Sequence, residues 1–472
     1  MREYPALTPT HRLVAGLSAL LLTAAAGARA AATLTADQSR ARDIYKQLIE
    51  IDTTDEHGAT TPAAEAMAKR LQDAGVPATD IHVLGPTPKK GNLVVRLRGT
   101  GGGKPILLLA HLDVVEAKRE DWSVDPFTFL EKDGFFYGRG TADVKGGASI
   151  LVANLIRLVQ EHATPSRDLI LALTADEEGG TANGVQWLLD DHRELIDAEF
   201  CLNMDGGDFD EASGKRLSGS IQAAEKHYLD LELEVTNRGG HSSQPSPDNA
   251  IYHLAAGLSR IAAFTFPVRL NEVTRAFFNG RAALETPAVA RDMRAIAGDA
   301  PPADAIARLA SDLYFNALLR TTCVATTVSA GHAHNALPQR ATANVNCRLL
   351  PEDTVKDVTE TVIKVLADPA ISVKATTARD TSPVSPLRPE IVNSVRKAAD
   401  AVYPGLPIIP SMETGATDGR QLRTAGIPTY GVSGMFLDED DNREHGRDER
   451  VGVQDYYDAL AFNYQLIKAL AF

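Results

Sequence analysis

Cysteine is nearly absent from this chain. Its 472 residues include three, Cys201, Cys323 and Cys347. None forms a C-x-x-C pair, so neither a thiolate zinc knuckle nor a disulfide-stapled scaffold is available. At most one disulfide can form, and Cys201, inside an apolar run, reads as buried. Positive charge is also in deficit, with 48 Lys+Arg against 62 Asp+Glu and a net charge of -14. Such a chain has no electrostatic footprint for nucleic acid or an anionic membrane, but it can hold cations. Beyond the first thirty residues no apolar run is long enough to span a bilayer. Internal repeats and low-complexity tracts are missing. A content of 44% hydrophobic and 23% charged residues excludes intrinsic disorder and a coiled-coil rod.

What is present begins with a targeting grammar. Arg2 and Arg12 precede an apolar run from Leu13 to Ala28, and Ala28, Arg29 and Ala30 form a small-x-small cleavage site. Residues 1–30 therefore read as a secretory signal. The mature chain is expected to be secreted or periplasmic, with no stable membrane insertion after cleavage. Its length exceeds what one hydrophobic core serves, so more than one domain is expected.

Three segments then share a pattern. Ile106 to Ala110 is continuously apolar and ends in His111 and Asp113. Leu169 to Thr174 ends in Asp176, Glu177 and Glu178, and Phe200 to Met204 ends in Asp205. Short runs of this kind suit strands buried on both faces. Helical stretches from Gly147 to Gln160 and Val185 to Asp191 separate them. The fold class is thus α/β, a mostly parallel sheet flanked by helices, with ligands expected outside the carboxyl ends of the strands. From about Ile221 the pattern changes. His227 to Thr236 alternates, Asn249 to Ala263 is an amphipathic helix, and further strands follow around a helix from Val355 to Leu366. This reads as a smaller α+β domain inserted into the first. The expected division is 1–30 signal, 31–221 catalytic, 222–380 inserted and 381–472 catalytic.

The strand ends, the Gly138 to Gly147 loop before a helix and one late loop supply His111, Asp143, Glu178, Asp205 and His445. Imidazole and carboxylate without thiolate suit a catalytic rather than a structural zinc site. Five such ligands are too many for one open tetrahedral ion and fit two that share a carboxylate. Two Zn2+ are expected, with Co2+ or Mn2+ as alternatives. Asp113, two residues after His111, falls on the same face of an extended segment and can accept the second imidazole N–H. Adjacent Glu177 and Glu178 point apart, so one can bind metal while the other takes a proton from the attacking water.

These stretches together resemble the zinc-dependent metallopeptidase family 20, which includes carboxypeptidase G, aminoacylase, carnosinase and carboxypeptidase S types. The matching segments are Leu109 to Val115, Gly138 to Gly147, Thr174 to Gly180, Asn203 to Gly206, Arg238 to Ser243 and Glu444 to Glu449. The resemblance implies a zinc-exopeptidase catalytic domain with an inserted lid and dimerisation domain. His111 and Asp205 would hold one zinc, Glu178 and His445 the other, and Asp143 would bridge them, followed by a cis peptide. Glu177 would be the general base and acid, and His241 the oxyanion donor, reaching a partner subunit's site in dimeric relatives. Asn335, Arg348 and Gly434 would bind substrate. The implied activity is cleavage of small peptides with a free C-terminal carboxylate, or alternatively of N-acyl amino acids. A two-zinc aminopeptidase of another family and a non-catalytic binding relative are the rival readings. Phe266 to Leu319 is long for a simple lid and most resembles the carboxypeptidase S branch. A homodimer through the inserted domain is a further expectation.

Overall fold

A computed structural model describes residues 33–378, 382–438 and 440–472. The expected signal lies outside the described residues. Strands Ile106–His111, Leu169–Thr174 and Phe200–Asn203 are buried at every position. Successive side chains of a strand point to opposite faces, so complete burial demands a layer on each side. Ile106, Leu108, Ala110, Leu169, Leu171 and Leu173 face one core, built with helices Ala36–Ile49, Thr61–Asp73, Lys145–Gln160 and Val453–Ala471. Leu107, Leu109, Ile170 and Ala172 face another, packed against Val185, Leu188 and Leu422 of helices Gly184–Asp191 and Gly419–Thr424. Each fully buried leucine contributes about 1.5–3 kcal/mol, which holds the strands rigidly in register.

Leu169–Thr174, Ile106–His111, Phe200–Asn203 and Thr429–Gly431 pair in parallel at the centre of a ten-stranded sheet. Antiparallel strands Asn92–Leu97 and Ile81–Leu84 extend one edge. His111 lies opposite Thr174, and Leu109 opposite Asn203. The carboxyl ends of three parallel strands therefore open side by side, at the place where such sheets bind ligands.

A second, four-stranded antiparallel sheet orders Thr322–Ala330, Arg340–Leu349, His227–Thr236 and Ser372–Ala378. Leu229, Leu231, Leu233 and Val235 alternate into its own core with Ala343, Val345 and residues of helices Ala250–Ala263 and Val355–Leu366. Cys323 and Cys347, directly opposite on adjacent strands, form a disulfide, and Cys201 is free and buried.

Helices Glu272–Arg281, Pro287–Ile296, Ala303–Leu309 and Leu313–Leu319 depart from the sequence expectation. Counted with the inserted unit at 222–380, they instead bury Val273, Phe277, Phe278, Met293 and Ile296 in the core of the large sheet, with Ile408 and Ile409. Their apolar residues match the uncovered flank of strand Ile408–Glu413 better than the small sheet, whose core its own two helices fill. Among the described residues no helix is long and apolar enough to cross a membrane.

Candidate metal centre and active site

His111 ends its strand and is 2% exposed. Glu177 and Glu178 follow strand Leu169–Thr174, and Asp205 follows Phe200–Asn203. Asp143 stands in the loop before helix Lys145–Gln160, and the Asp143–Val144 peptide is cis. His445 comes from the loop between Phe436–Asp438 and Arg450–Gly452, at a left-handed φ of 58°.

Folding gathers these into two groups with one member in common. His111, Asp143 and Asp205 each offer a ligand atom within 4.8 Å of the others, and so do Asp143, Glu178 and His445. His111 Nε2 lies 3.0 Å from Asp143 Oδ1, while His445 Nε2 lies 2.8 Å from Asp143 Oδ2. Glu178 Oε2 is 3.0 Å from His445 Nε2. Asp143 thus turns one oxygen to each side.

The electrostatics are those of a site short of positive charge. Burial pushes the Asp205 carboxyl well above its ordinary range, and Asp143 and Asp418 push the same way. Burial and Asp205 do the same to Glu177. Burial also works to raise Asp143, but the two imidazoles outweigh it and hold that carboxyl low. Asp143 and then Glu178 raise His445 to about 10. Glu178 Oε1 is buried without a hydrogen-bond partner. An orphaned carboxylate oxygen inside such a cluster fits a site made for cations, since an unpaired buried charge is otherwise costly.

Asp113 does its work differently from the expectation. The strand stops at His111, so the alternation that would align both side chains does not continue. His111 Nδ1 is 2.9 Å from the Asp113 carbonyl oxygen and 3.8 Å from its carboxylate. The carboxylate instead accepts the Glu178 N–H at 3.0 Å. Asp113 therefore ties together the strand ends that carry His111 and Glu178, its carbonyl orienting the imidazole.

Two residues without a sequence-derived role anchor the other side. Glu449 is 0% exposed. Its carboxylate accepts from Arg139 at 2.7 Å and from the backbone N–H groups of Gly140, Ala142 and Asp143. Arg139 also donates to the His445 carbonyl at 3.3 Å. Both lie inside the motifs Gly138 to Gly147 and Glu444 to Glu449, yet their pairing spans 310 positions, which no local pattern reveals. Asp418, another unforeseen acid, accepts from Thr174 and Asn183 beside the same strand end.

The remaining sequence-derived residues lie outside the two ligand groups. His241 is exposed on the short strand Gly240–His241, which pairs with Ala336–Leu337, and its Nδ1 accepts from the Ser243 N–H at 3.1 Å. The Ser242 N–H donates to the Asn335 carbonyl, so His241 and Asn335 are neighbours. Arg348, on the small sheet, stacks over the Tyr228 ring at 4.8 Å. Gly434 is packed against Phe462 at a φ of 74°, where any Cβ would collide at 2.3 Å, and its carbonyl accepts from Tyr403. That backbone belongs to the core under helix Val453–Ala471, and Gly434 is not among the residues lining the cavity around Asp143 and Asp205.

Comparison with known proteins agrees with this geometry. The family model for peptidase family M20/M25/M40 matches residues 107–469. The N-fatty-acyl-amino acid synthase/hydrolase PM20D1 of Homo sapiens is 31% identical over 374 residues, spanning 77% of this chain and 74% of that protein. The crystal structure of an M20 family metallo-carboxypeptidase, Sso-CP2 from Sulfolobus solfataricus, superposes with a TM-score of 0.69 at 18% identity, over 91% of this chain and 99% of that one. Human carnosine dipeptidase 1 superposes with a TM-score of 0.64 at 16% identity, over 92% and 96%. At such identities these two structures speak for the fold.

Proposed function

The chain belongs to peptidase family M20/M25/M40, a metal-binding hydrolase of amide bonds, and from that premise we propose that it cleaves small peptides or N-acyl amino acids bearing a free C-terminal carboxylate. The ligands assigned to the two metals are His111 and Asp205 on one side, Glu178 and His445 on the other, with Asp143 between. The observation that carries the reading is the Asp143 carboxylate, one oxygen 3.0 Å from His111 and the other 2.8 Å from His445. Imidazole and carboxylate donors without thiolate favour zinc.

When bound, the ions polarise the scissile carbonyl and acidify the attacking water. Glu177, beside the ligands but in neither group, takes the proton from that water and returns it to the leaving nitrogen. His241 serves as oxyanion donor once the small sheet's unit closes over the centre, in its own subunit or across a homodimer. Arg348 is assigned to the substrate carboxylate, which a guanidinium binds through two parallel hydrogen bonds. Gly434, buried against Phe462, is left out of that set.

The test is a panel of dipeptides and N-acyl amino acids, assayed before and after chelation. Turnover is expected to vanish with the metal and return on adding zinc, cobalt or manganese. Turnover indifferent to chelation overturns the proposal. Export through the residue 1–30 signal is assigned from sequence alone and is checked by N-terminal sequencing of the mature protein.

A further inference from the structure

A cavity of about 470 Å³ adjoins the metal-ligand cluster. Asp208 and Glu413 line both it and the smaller space around Asp143 and Asp205, so the two cavities share a wall. Phe277, Tyr314 and Phe315 give it an aromatic wall. They come from the helices between Glu272 and Leu319, which a simple lid does not need.

The charged part of the lining is mostly acidic. Four carboxylates, those of Asp208, Asp210, Asp312 and Glu413, stand against one guanidinium, that of Arg281. Asp210 is engaged by the Ser218 hydroxyl at 2.6 Å, and Asp312 caps helix Leu313–Leu319. Arg281 is paired with Glu285 at 2.9 Å. Glu413 is different: among the described residues no group donates a hydrogen bond to its carboxylate. Burial, and then the nearby Glu444, Glu225 and Asp210, push it up to about 7. An apolar acyl chain entering here would strip water from these carboxylates and offer them nothing in return. An ammonium group would donate to the carboxylates and be attracted by the ring faces.

We propose that this cavity is a subsite for a protonated amine of the substrate, so that peptides carrying an ammonium group are preferred over their uncharged N-acyl counterparts. The inference rests on the amide-hydrolase reading. The amine is either the substrate's α-amine or that of a basic side chain.

Two substrate pairs on the metal-loaded full chain separate these sources. Ala-Leu against N-acetyl-Ala-Leu isolates the α-amine. N-acetyl-Lys-Leu against the same peptide acetylated at Nε isolates the side-chain amine. The free-amine member of at least one pair is expected to show a kcat/KM ten-fold or more above its acetylated partner. Glu413→Gln should cut that preference at least five-fold, through KM more than kcat. Tyr314→Leu, at a half-exposed position, should cut it less, and it carries the test if the first variant does not fold. Equal or inverted preference in both pairs overturns the inference while leaving hydrolysis intact, as does a preference that survives both substitutions. If the loaded enzyme cleaves none of the four but hydrolyses N-acyl amino acids, the subsite is overturned and the hydrolase reading stands; if it cleaves neither class, both fall.

Discussion

In the proposed mechanism Glu177 carries the most chemistry of any single side chain. Burial and the nearby Asp205 raise its carboxyl, and neither candidate ligand group includes it. Exchanging its carboxylate for an amide removes the proton acceptor and keeps the shape. Glu177→Gln is therefore expected to lower kcat by roughly 10²–10⁴-fold with metal content, measured by elemental analysis, unchanged. Loss of metal along with activity would mean that Glu177 is a ligand. Glu449 tests the opposite kind of residue, one that touches no substrate. It pins the Asp143 loop through three N–H groups and neutralises Arg139, which in turn holds the His445 carbonyl. In Glu449→Gln the buried Arg139 loses its counter-charge, a defect of about 3–5 kcal/mol, read by chemical denaturation. Metal affinity should weaken too, because both imidazole-facing elements loosen. A variant as stable and as tightly metal-binding as the wild type would remove Glu449 from this role.

At the scale of elements, legibility followed physics. The three parallel strands were readable because two-sided burial leaves an uninterrupted apolar run, and polar residues at the ends then stand out. His111, Glu177, Glu178 and Asp205 were singled out that way, and the fold brings His111, Glu178 and Asp205 into the candidate ligand groups. The stretch Phe266 to Leu319 was legible only as mixed helix and loop within the inserted unit; its four helices and the core they pack into were not, since apolar residues state that a face is buried and not against what. The Arg139–Glu449 pair was hidden because contacts across 310 positions leave no periodic trace. Odd cysteine number left the pairing of Cys323 with Cys347 open; the register of their strands decides it. That bond closes a loop of 24 residues at the exposed margin of the small sheet. Loop-closure entropy gives it a weight of about 3 kcal/mol. The double variant Cys323→Ala, Cys347→Ala should unfold at correspondingly lower denaturant, and reductant should shift the wild type but not the variant. Identical midpoints would show that the strand pairing holds without the covalent link.

For the molecule as a whole, the junction between the two sheets ties the small one to the sheet that carries the candidate metal centre. Three consecutive residues grip different partners there. Glu225 pairs with Arg423 at 2.8 Å and accepts from Thr417, on the large-sheet side. Lys226 Nζ donates to the carbonyls of Ala317 and Arg320, both at 2.9 Å, and to the Thr322 hydroxyl. His227 Nε2 lies 3.0 Å from the Leu350 carbonyl. A lysine so enclosed bears a cost: burial, aided by Arg348, lowers its ammonium from 10.5 to about 7. The folded chain therefore releases this proton at lower pH than the unfolded chain does. Between pH 7 and 10.5 the unfolded state carries a proton that the folded state lacks, so this residue makes stability rise with pH across that window, by up to about 1.4 kcal/mol per unit. Below pH 7 both states are protonated and the penalty of the buried charge is complete. Lys226→Met removes the titration, so the stability difference between wild type and variant, from denaturation at pH 7 and pH 9.5, should move in favour of the wild type as pH rises. A difference that stays constant would mean that the three oxygen acceptors keep the ammonium charged in the fold. The junction would then be a fixed ionic clasp and not one that loosens with protonation.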